Sequence, residues 1–166
     1  DYRSFDRLIE KTESSLDGYV ICGSTGEAPA LSTAERKEIT HYFMKHAPKH
    51  LEIVIGLGHT SLIDAVEVGL DAKEVGVTSA LVPSPYYFPN SLEMVIDYVG
   101  QLADQTGLDI VFYDNPTTTK THFTTDELLE IARSVPQIKG IKMTDHHFAK
   151  IRELKANSSL TVFGGD

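Results

Sequence analysis

The sequence of 166 residues has one cysteine, Cys22, and no tryptophan. A single cysteine excludes an intrachain disulfide and a cysteine-based metal cluster, and it is typical of a reducing compartment such as the cytoplasm. The histidines do not supply the missing ligands, because the adjacent His146 and His147 lack the i, i+4 spacing of a helical metal site. We therefore expect neither a metal ion nor any other cofactor.

Positive charge and long apolar runs are also scarce. Lysine and arginine number 15 against 24 acidic residues, a net charge of -9, so no basic patch is available to neutralise nucleic-acid phosphates. No apolar run reaches transmembrane length, and no signal-peptide pattern opens the chain. These absences predict a cytoplasmic protein with neither a nucleic-acid nor a membrane partner.

What the sequence does contain is a regular alternation of predicted strands and helices. The strands are short apolar runs, mostly β-branched and bounded by Gly, Pro or Asn, at 19–22, 52–56, 79–83, 109–113, 138–143 and 160–163. The predicted helices begin at a capping box in 32–35, at Ser61, at Ser91 and at 125–127, and a further helix covers 2–16.

Strict alternation of strand and helix predicts an α/β fold with a parallel sheet, either an open doubly wound sheet or a (β/α)8 TIM barrel. The first strand leads into 23–27, which lacks the G-x-G-x-x-G pattern of a Rossmann sheet. Polar residues instead follow nearly every strand, which is typical of the catalytic face of a barrel. A full barrel takes about 250 residues, so we expect 1–166 to form a partial TIM-barrel catalytic domain of about six βα units. The first strand and the C-terminal part would then be missing.

Lys142 is the candidate nucleophile. In the strand 138–143, side-chain alternation places Gly140, Lys142 and Thr144 on one face, opposite Ile141 and Met143. A lysine in such a confined position can attack a carbonyl as a neutral amine and form a Schiff base. From spacing alone, a lysine at a strand end that extends to water is the better interpretation.

Motifs further along the chain favour the nucleophile. Five short segments together resemble the dihydrodipicolinate synthase / N-acetylneuraminate lyase family of class I, Schiff-base-forming barrel enzymes. They stand in order, one per βα unit, over nearly the whole chain: 23–27, 85–87, 113–116, 140–144 and 164–166.

The resemblance implies roles for the residues at the motif positions. Lys142 would condense with the keto group of pyruvate or of a 2-keto acid, and Tyr113 would relay protons between the Schiff base and the substrate. Ser24 and Thr25 would hold the substrate carboxylate, because flanking glycines let the backbone approach an anion closely. Without Lys142, Tyr113 would be interpreted as a core aromatic. The segment 23–27 could also be a tight turn that needs glycine, and the two interpretations of it are compatible.

The remaining motif positions imply weaker roles. Tyr86 and Tyr87 match a tyrosine pair, one of which reaches across a subunit interface in the synthase branch. Thr144 and Asp166 match positions near the substrate in the lyase branch, although Thr144 could merely fill the barrel and Asp166 could cap a helix. The family mostly forms homotetramers or homodimers, so we expect a homo-oligomer.

One departure bears on the branch. Thr118 stands where dihydrodipicolinate synthases carry an arginine that binds a substrate carboxylate, and a threonine cannot make that bidentate pair. Lys120 could replace the arginine only as a point charge, and Asn90 stands where phosphate-accepting aldolases are basic. We therefore interpret the chain as a lyase that cleaves an unphosphorylated 2-keto-3-deoxy sugar acid to pyruvate and an aldehyde, closest to 2-keto-3-deoxygluconate aldolase. The alternatives are a synthase joining pyruvate to aspartate semialdehyde and an inactive binding module built on an incomplete barrel.

Overall fold

The computed structural model describes residues 1–144 and 147–165. Strands and helices alternate along the chain. The strands are β1 (Gly18–Ile21), β2 (Glu52–Gly56), β3 (Ser79–Pro83), β4 (Asp109–Asp114), β5 (Ile138–Met143) and β6 (Thr161–Gly164). The helices are α1 (Tyr2–Thr12), α2 (Thr33–His46), α3 (Leu62–Glu74), α4 (Leu92–Thr106), α5 (Pro116–Thr119), α6 (Thr125–Ser134) and α7 (Phe148–Asn157), with a 3₁₀ turn at Ala28–Ala30.

The sheet order excludes the doubly wound alternative. All strand pairs are parallel, and the strands lie side by side in chain order from β1 to β6 without the reversal that defines a doubly wound sheet. Such an arrangement is an arc of a (β/α)8 barrel, with no described strand on the outer edges of β1 and β6. The predicted α/β barrel, incomplete over this chain, is confirmed.

The core lies between the strands and the helices that follow them. Ile110 and Phe112 of β4 are fully buried, as are Val95, Val99 and Leu102 of α4. All five residues are apolar, as expected where helices cover a face of a parallel sheet. Across the described residues, no helix is both long enough and apolar enough to cross a membrane.

Most of the predicted boundaries agree with the structure. The Ser32 side chain accepts from the Glu35 N–H, and the Glu35 carboxylate accepts from the Ser32 N–H, so the capping box is confirmed. Ser61 and Ser91 cap α3 and α4 as predicted. Helix α6 begins at Thr125 as predicted, and Thr124 caps it.

The first helix and the first strand both end earlier than predicted. Helix α1 ends at Thr12 instead of residue 16, because the Ser15 N–H turns back to donate to the Thr12 carbonyl. Strand β1 ends at Ile21, one residue early, because Cys22 adopts a left-handed backbone with φ 51° that cannot continue a strand. That turn of the chain begins the loop that carries Ser24.

Candidate active site

Lys142 and Tyr113 face each other across two neighbouring strands. They are register partners in the β4–β5 ladder, and the Lys142 Nζ lies 4.6 Å from the centroid of the Tyr113 ring. Tyr113 is 5% exposed, whereas Lys142 is half-buried. A cation over an aromatic face is attracted by the ring quadrupole, so this contact holds the amine beside the phenol.

Thr144 shares the face of Lys142, as strand alternation predicts. A Cβ added to Gly165 would lie 3.0 Å from the Lys142 Cε and 2.5 Å from the Thr144 Cγ2, so both side chains reach the same neighbour. The hydroxyl of Thr144 donates to the Asp114 carbonyl at 3.3 Å, and its N–H donates to the same oxygen at 3.1 Å. Thr144 therefore ties the end of β5 to the end of β4.

The end of β4 is held by buried polar groups to which the sequence analysis assigned no individual role. Asp114 is fully buried, and its carboxylate lies 2.8 Å from the Lys150 Nζ of α7. The Asn115 amide donates to the Tyr113 hydroxyl at 3.2 Å. Because that oxygen accepts a hydrogen bond, its own proton is free to be directed to a substrate.

The loop after β1 carries Ser24 and Thr25, both exposed. It turns tightly, since the Glu27 N–H donates to the Ser24 carbonyl and the Ala28 N–H to the Gly23 carbonyl. No described group accepts a hydrogen bond from the N–H of Ser24 or Thr25. These two donors are therefore available to an anion.

A cavity of about 420 Å³ opens between this loop and the ends of β2, β3 and β4. Its wall includes Ser24, Tyr86, Tyr113 and Thr118. Among the described residues that form the wall, Lys142 is absent, and its amine lies over the Tyr113 ring instead. The structure thus brings Ser24, Tyr86 and Tyr113 together at the cavity, and it places Lys142 against the Tyr113 ring.

Other predicted residues lie apart from this cavity. Tyr87 is 78% exposed and stacks edge-on against the exposed Phe88. Asp166 lies outside the described residues, so its role stays a prediction. The described residues contain no group of three His, Cys, Asp or Glu side chains that could hold a metal ion.

The wall that contains Thr118 also contains Lys120. The Thr118 hydroxyl donates to the Asn115 carbonyl at 3.3 Å. The Lys120 Nζ donates to the Thr117 carbonyl at 2.6 Å, within its own short turn. The position that matches the synthase arginine is thus neutral here, and the nearby cation is engaged with the backbone.

Arg36 of α2 is a buried residue near the site that the sequence analysis missed. It is 2% exposed, and its guanidinium donates to the Gly58 carbonyl at 3.0 Å and to the Ala28 carbonyl at 2.6 Å. Gly58 and Ala28 both belong to the cavity wall. The sequence holds no signal for this role, since Arg36 stands among charged residues of an amphipathic helix.

Burial also governs the titration of the groups around the cavity. Burial raises the pKa of the Cys22 thiol to about 11, and the charge of Arg36 opposes that rise. Burial raises the pKa of Tyr98 as well, and its hydroxyl donates to the His59 carbonyl at 2.8 Å. Both groups therefore stay neutral at physiological pH.

Comparison with known proteins identifies the family of the chain. A family model described as the dihydrodipicolinate synthetase family matches residues 1–166. A 4-hydroxy-tetrahydrodipicolinate synthase of Hydrogenobaculum sp. (strain Y04AAS1) is 34% identical over 168 residues, covering all of this chain and 58% of the relative. The chain thus spans less than two thirds of that protein.

Solved structures share the fold. A prophage protein of the dihydrodipicolinic acid synthase family from E. coli K12, in complex with pyruvate, is 29% identical with a TM-score of 0.92, over 99% of this chain and 57% of that chain. A 2-keto 3-deoxygluconate aldolase from Picrophilus torridus, 22% identical with a TM-score of 0.91, covers all of this chain and 61% of its own, and it shows the fold alone. With the family model matching every residue, the chain belongs to the dihydrodipicolinate synthetase family.

Proposed function

We propose that the protein is a Schiff-base-forming lyase that acts on pyruvate or on a 2-keto acid that yields it. The observation that carries the proposal is the Lys142 amine 4.6 Å from the ring centre of its register partner Tyr113, beside the cavity. Family membership supports it, and so does the E. coli relative, which was solved in complex with pyruvate.

The chemistry follows from these two side chains. The neutral amine of Lys142 attacks the keto carbon, and the carbonyl oxygen leaves as water after it gains two protons, which forms a protonated imine. The bond between the α- and β-carbons then breaks, and its electron pair moves toward the imine to form an enamine. The β-hydroxyl passes its proton to the Tyr113 oxygen as the aldehyde is released. The resulting enamine takes up a proton, and hydrolysis of the imine releases pyruvate and restores Lys142.

Tyr113 is the proposed proton carrier in these steps. Its hydroxyl accepts from Asn115 and keeps its own proton for the departing oxygen. The N–H groups of Ser24 and Thr25 are the proposed donors to the substrate carboxylate, because no described group accepts from them. Tyr86, in the cavity wall, and Thr144, beside Lys142, would contact the rest of the substrate.

The wall at Thr118 favours cleavage of an unphosphorylated 2-keto-3-deoxy sugar acid. A polyol chain needs neutral hydrogen-bonding groups, and Thr118 offers a hydroxyl where a second carboxylate would need a cation. The Lys120 ammonium in the same wall already donates to the Thr117 carbonyl. The sugar-acid lyase is therefore the proposed activity.

Condensation of pyruvate with aspartate semialdehyde is the second candidate. The Hydrogenobaculum relative at 34% identity is named a synthase, which favours this reaction. In this case Lys120 would leave the Thr117 carbonyl and pair with the second carboxylate.

A homodimer or homotetramer is proposed for either activity, supported by the exposed Tyr87 and Phe88. A cytoplasmic location stays a prediction.

Borohydride trapping tests the Schiff base. The full-length protein incubated with pyruvate and borohydride should gain one reduced adduct, and peptide mapping should place it on Lys142. Lys139 is the internal control, because it lies on the same strand with its side chain 60% exposed. An adduct on Lys139, or none at all, would overturn the proposal.

Steady-state kinetics decides between the two candidates. We expect a higher kcat/KM for release of pyruvate from 2-keto-3-deoxygluconate than for condensation of pyruvate with aspartate semialdehyde. A buried substrate charge without a partner costs about 1–3 kcal/mol or more, which is about tenfold to a hundredfold in rate. Faster condensation would assign the chain to the synthase.

A further inference from the structure

Arg36 is a buried cation that contacts the wall of the cavity in which the proposed carboxylate site lies. Its side chain extends from α2 and is 2% exposed, whereas its neighbour Lys37 lies at the surface and pairs with Glu67 at 2.6 Å. The two residues carry the same charge on the same helix, so the difference between them lies in their surroundings.

The Arg36 guanidinium joins two loops. One of its nitrogens donates to the Ala28 carbonyl, at the end of the loop that carries Ser24, and the other donates to the Gly58 carbonyl in the loop after β2. Both loops form the cavity wall. Tyr98 adds a second contact to the loop after β2, through the neighbouring His59 carbonyl. The positions of both loops therefore depend on buried side chains of α2 and α4.

The charge of Arg36 is not neutralised by a carboxylate. Over residues 1–144 and 147–165 no ion pair includes it, and its hydrogen-bond acceptors are two neutral carbonyls. A buried cation without a counter-ion is costly, and it projects a positive potential into its surroundings. That potential reaches the cavity wall, since it opposes the rise in the pKa of Cys22.

We infer that Arg36 is a positioning residue of this site, one that fixes the Ser24 loop and provides the positive potential that selects anionic keto acids over neutral ketones. The inference rests on the proposed Schiff-base function. Arg36 does not contact the substrate. It acts through the two carbonyls that it holds and through its charge.

The experiment compares two ketones by the concentration that gives half-maximal borohydride adduct on Lys142. Pyruvate carries the carboxylate, and hydroxyacetone is a neutral ketone of similar size. In the full-length Arg36→Met variant, the half-maximal concentration of pyruvate should rise by about tenfold to a hundredfold, the range for losing hydrogen bonds to a charged group. That of hydroxyacetone should change by less than about threefold, because its adduct owes nothing to the lost charge.

Matched variants separate charge from folding. Lys37→Met removes one positive charge from the same helix at the surface, where solvent screens it, and should leave both concentrations unchanged. For Arg36→Lys, the half-maximal concentration of pyruvate should lie between those of the wild type and Arg36→Met, because lysine keeps the charge and loses one carbonyl contact. Should Arg36→Met not fold, Arg36→Gln replaces it, since an amide can still donate to one carbonyl without charge.

Each outcome is decisive. Equal losses for the two ketones would mean that Arg36 is only structural, and unchanged pyruvate trapping in a folded variant would also overturn the inference. Absence of any adduct in the wild-type protein would instead overturn the proposed function, and the inference with it. A pyruvate-specific loss in the Arg36 variants, with none in Lys37→Met, supports the inference.

Discussion

The strand pair β4–β5 and the loop after β1 place their functional groups in different ways. Lys142 and Tyr113 occupy paired positions in a hydrogen-bonded ladder, so the backbone itself sets the distance between amine and phenol. Ser24 lies on a loop with left-handed residues at Cys22 and Glu27, and Arg36 holds the end of that loop from a helix.

This difference matches what each group is proposed to do. Bond-making steps need atoms held within fractions of an ångström, which strands supply better than loops. Binding a carboxylate through backbone N–H groups needs an irregular backbone, because a regular strand or helix uses those donors internally. The site therefore combines a rigid reactive part with an irregular recognition part.

The largest expected effect comes from the reactive part. Lys142→Ala should abolish both the pyruvate adduct and turnover in the full-length protein, because Lys142 supplies the amine that lies over the Tyr113 ring. Unfolding by urea should change little, since the half-buried lysine is not part of the apolar core. Lys139→Ala is the control on the same strand. Retained turnover in Lys142→Ala would show that Lys142 is not the Schiff-base residue.

Removing one hydroxyl from the same strand pair should have the next largest effect. Tyr113→Phe should lower kcat by about 10²- to 10⁴-fold, the usual contribution of general acid–base catalysis. The affinity for pyruvate should change less, because the ring and its contact with Lys142 remain. Tyr19→Phe removes a hydroxyl that bonds the Thr12 side chain in the α1 region, and it should leave kcat intact. An unchanged kcat in Tyr113→Phe would make its hydroxyl purely structural.

The support behind the strand pair can be tested through stability. Lys150→Met breaks the buried 2.8 Å ion pair with Asp114 and should lower the free energy of unfolding by about 3–5 kcal/mol. Lys37→Met removes one partner of a pair nearer the surface, where solvent screens the charges, and should lower the free energy of unfolding much less. Urea denaturation of both variants measures the difference. Equal losses in the free energy of unfolding would show that the buried Asp114 pair stabilises the protein no more than the Lys37 pair does.

The smallest effect is expected next to the recognition loop. Ser32→Ala removes the cap of α2 just after that loop and should lower stability by about 1 kcal/mol. Ser91→Ala removes the cap of α4 and should cost a similar amount, with kcat unchanged in both variants. A larger loss of pyruvate affinity in Ser32→Ala than in Ser91→Ala would show that the α2 cap also positions the loop.

Much of the reactive part could be predicted from sequence. The bounds of β2, β3 and β5 follow from apolar runs that end at glycine, proline or polar residues, and strict alternation puts consecutive strands side by side. Lys142 and Tyr113 therefore had to meet once each was placed at the end of its strand. Local pattern and the parallel sheet were sufficient for that prediction.

The supporting residues could not be predicted in the same way. Arg36 reaches a carbonyl 22 residues away, and Lys150 pairs with Asp114 across 36 residues. Such partners depend on the angle and depth at which a helix packs on the sheet, which periodicity does not specify. In the sequence both residues resemble ordinary cations on a solvated helix face, so the structure was needed to show that they are buried.

Gly56 shows that a residue without a side chain can also support the recognition loop. A Cβ at this position, the last residue of β2, would lie 2.1 Å from the Cys22 carbonyl oxygen, so the loop after β1 rests directly on the backbone there. Any side chain at position 56 must displace that loop, and Ser24 with it. Position 56 should therefore accept glycine alone across natural variation. In a screen for activity, Gly56 variants should therefore behave like variants that lose the carboxylate site, although the glycine contributes no reactive group.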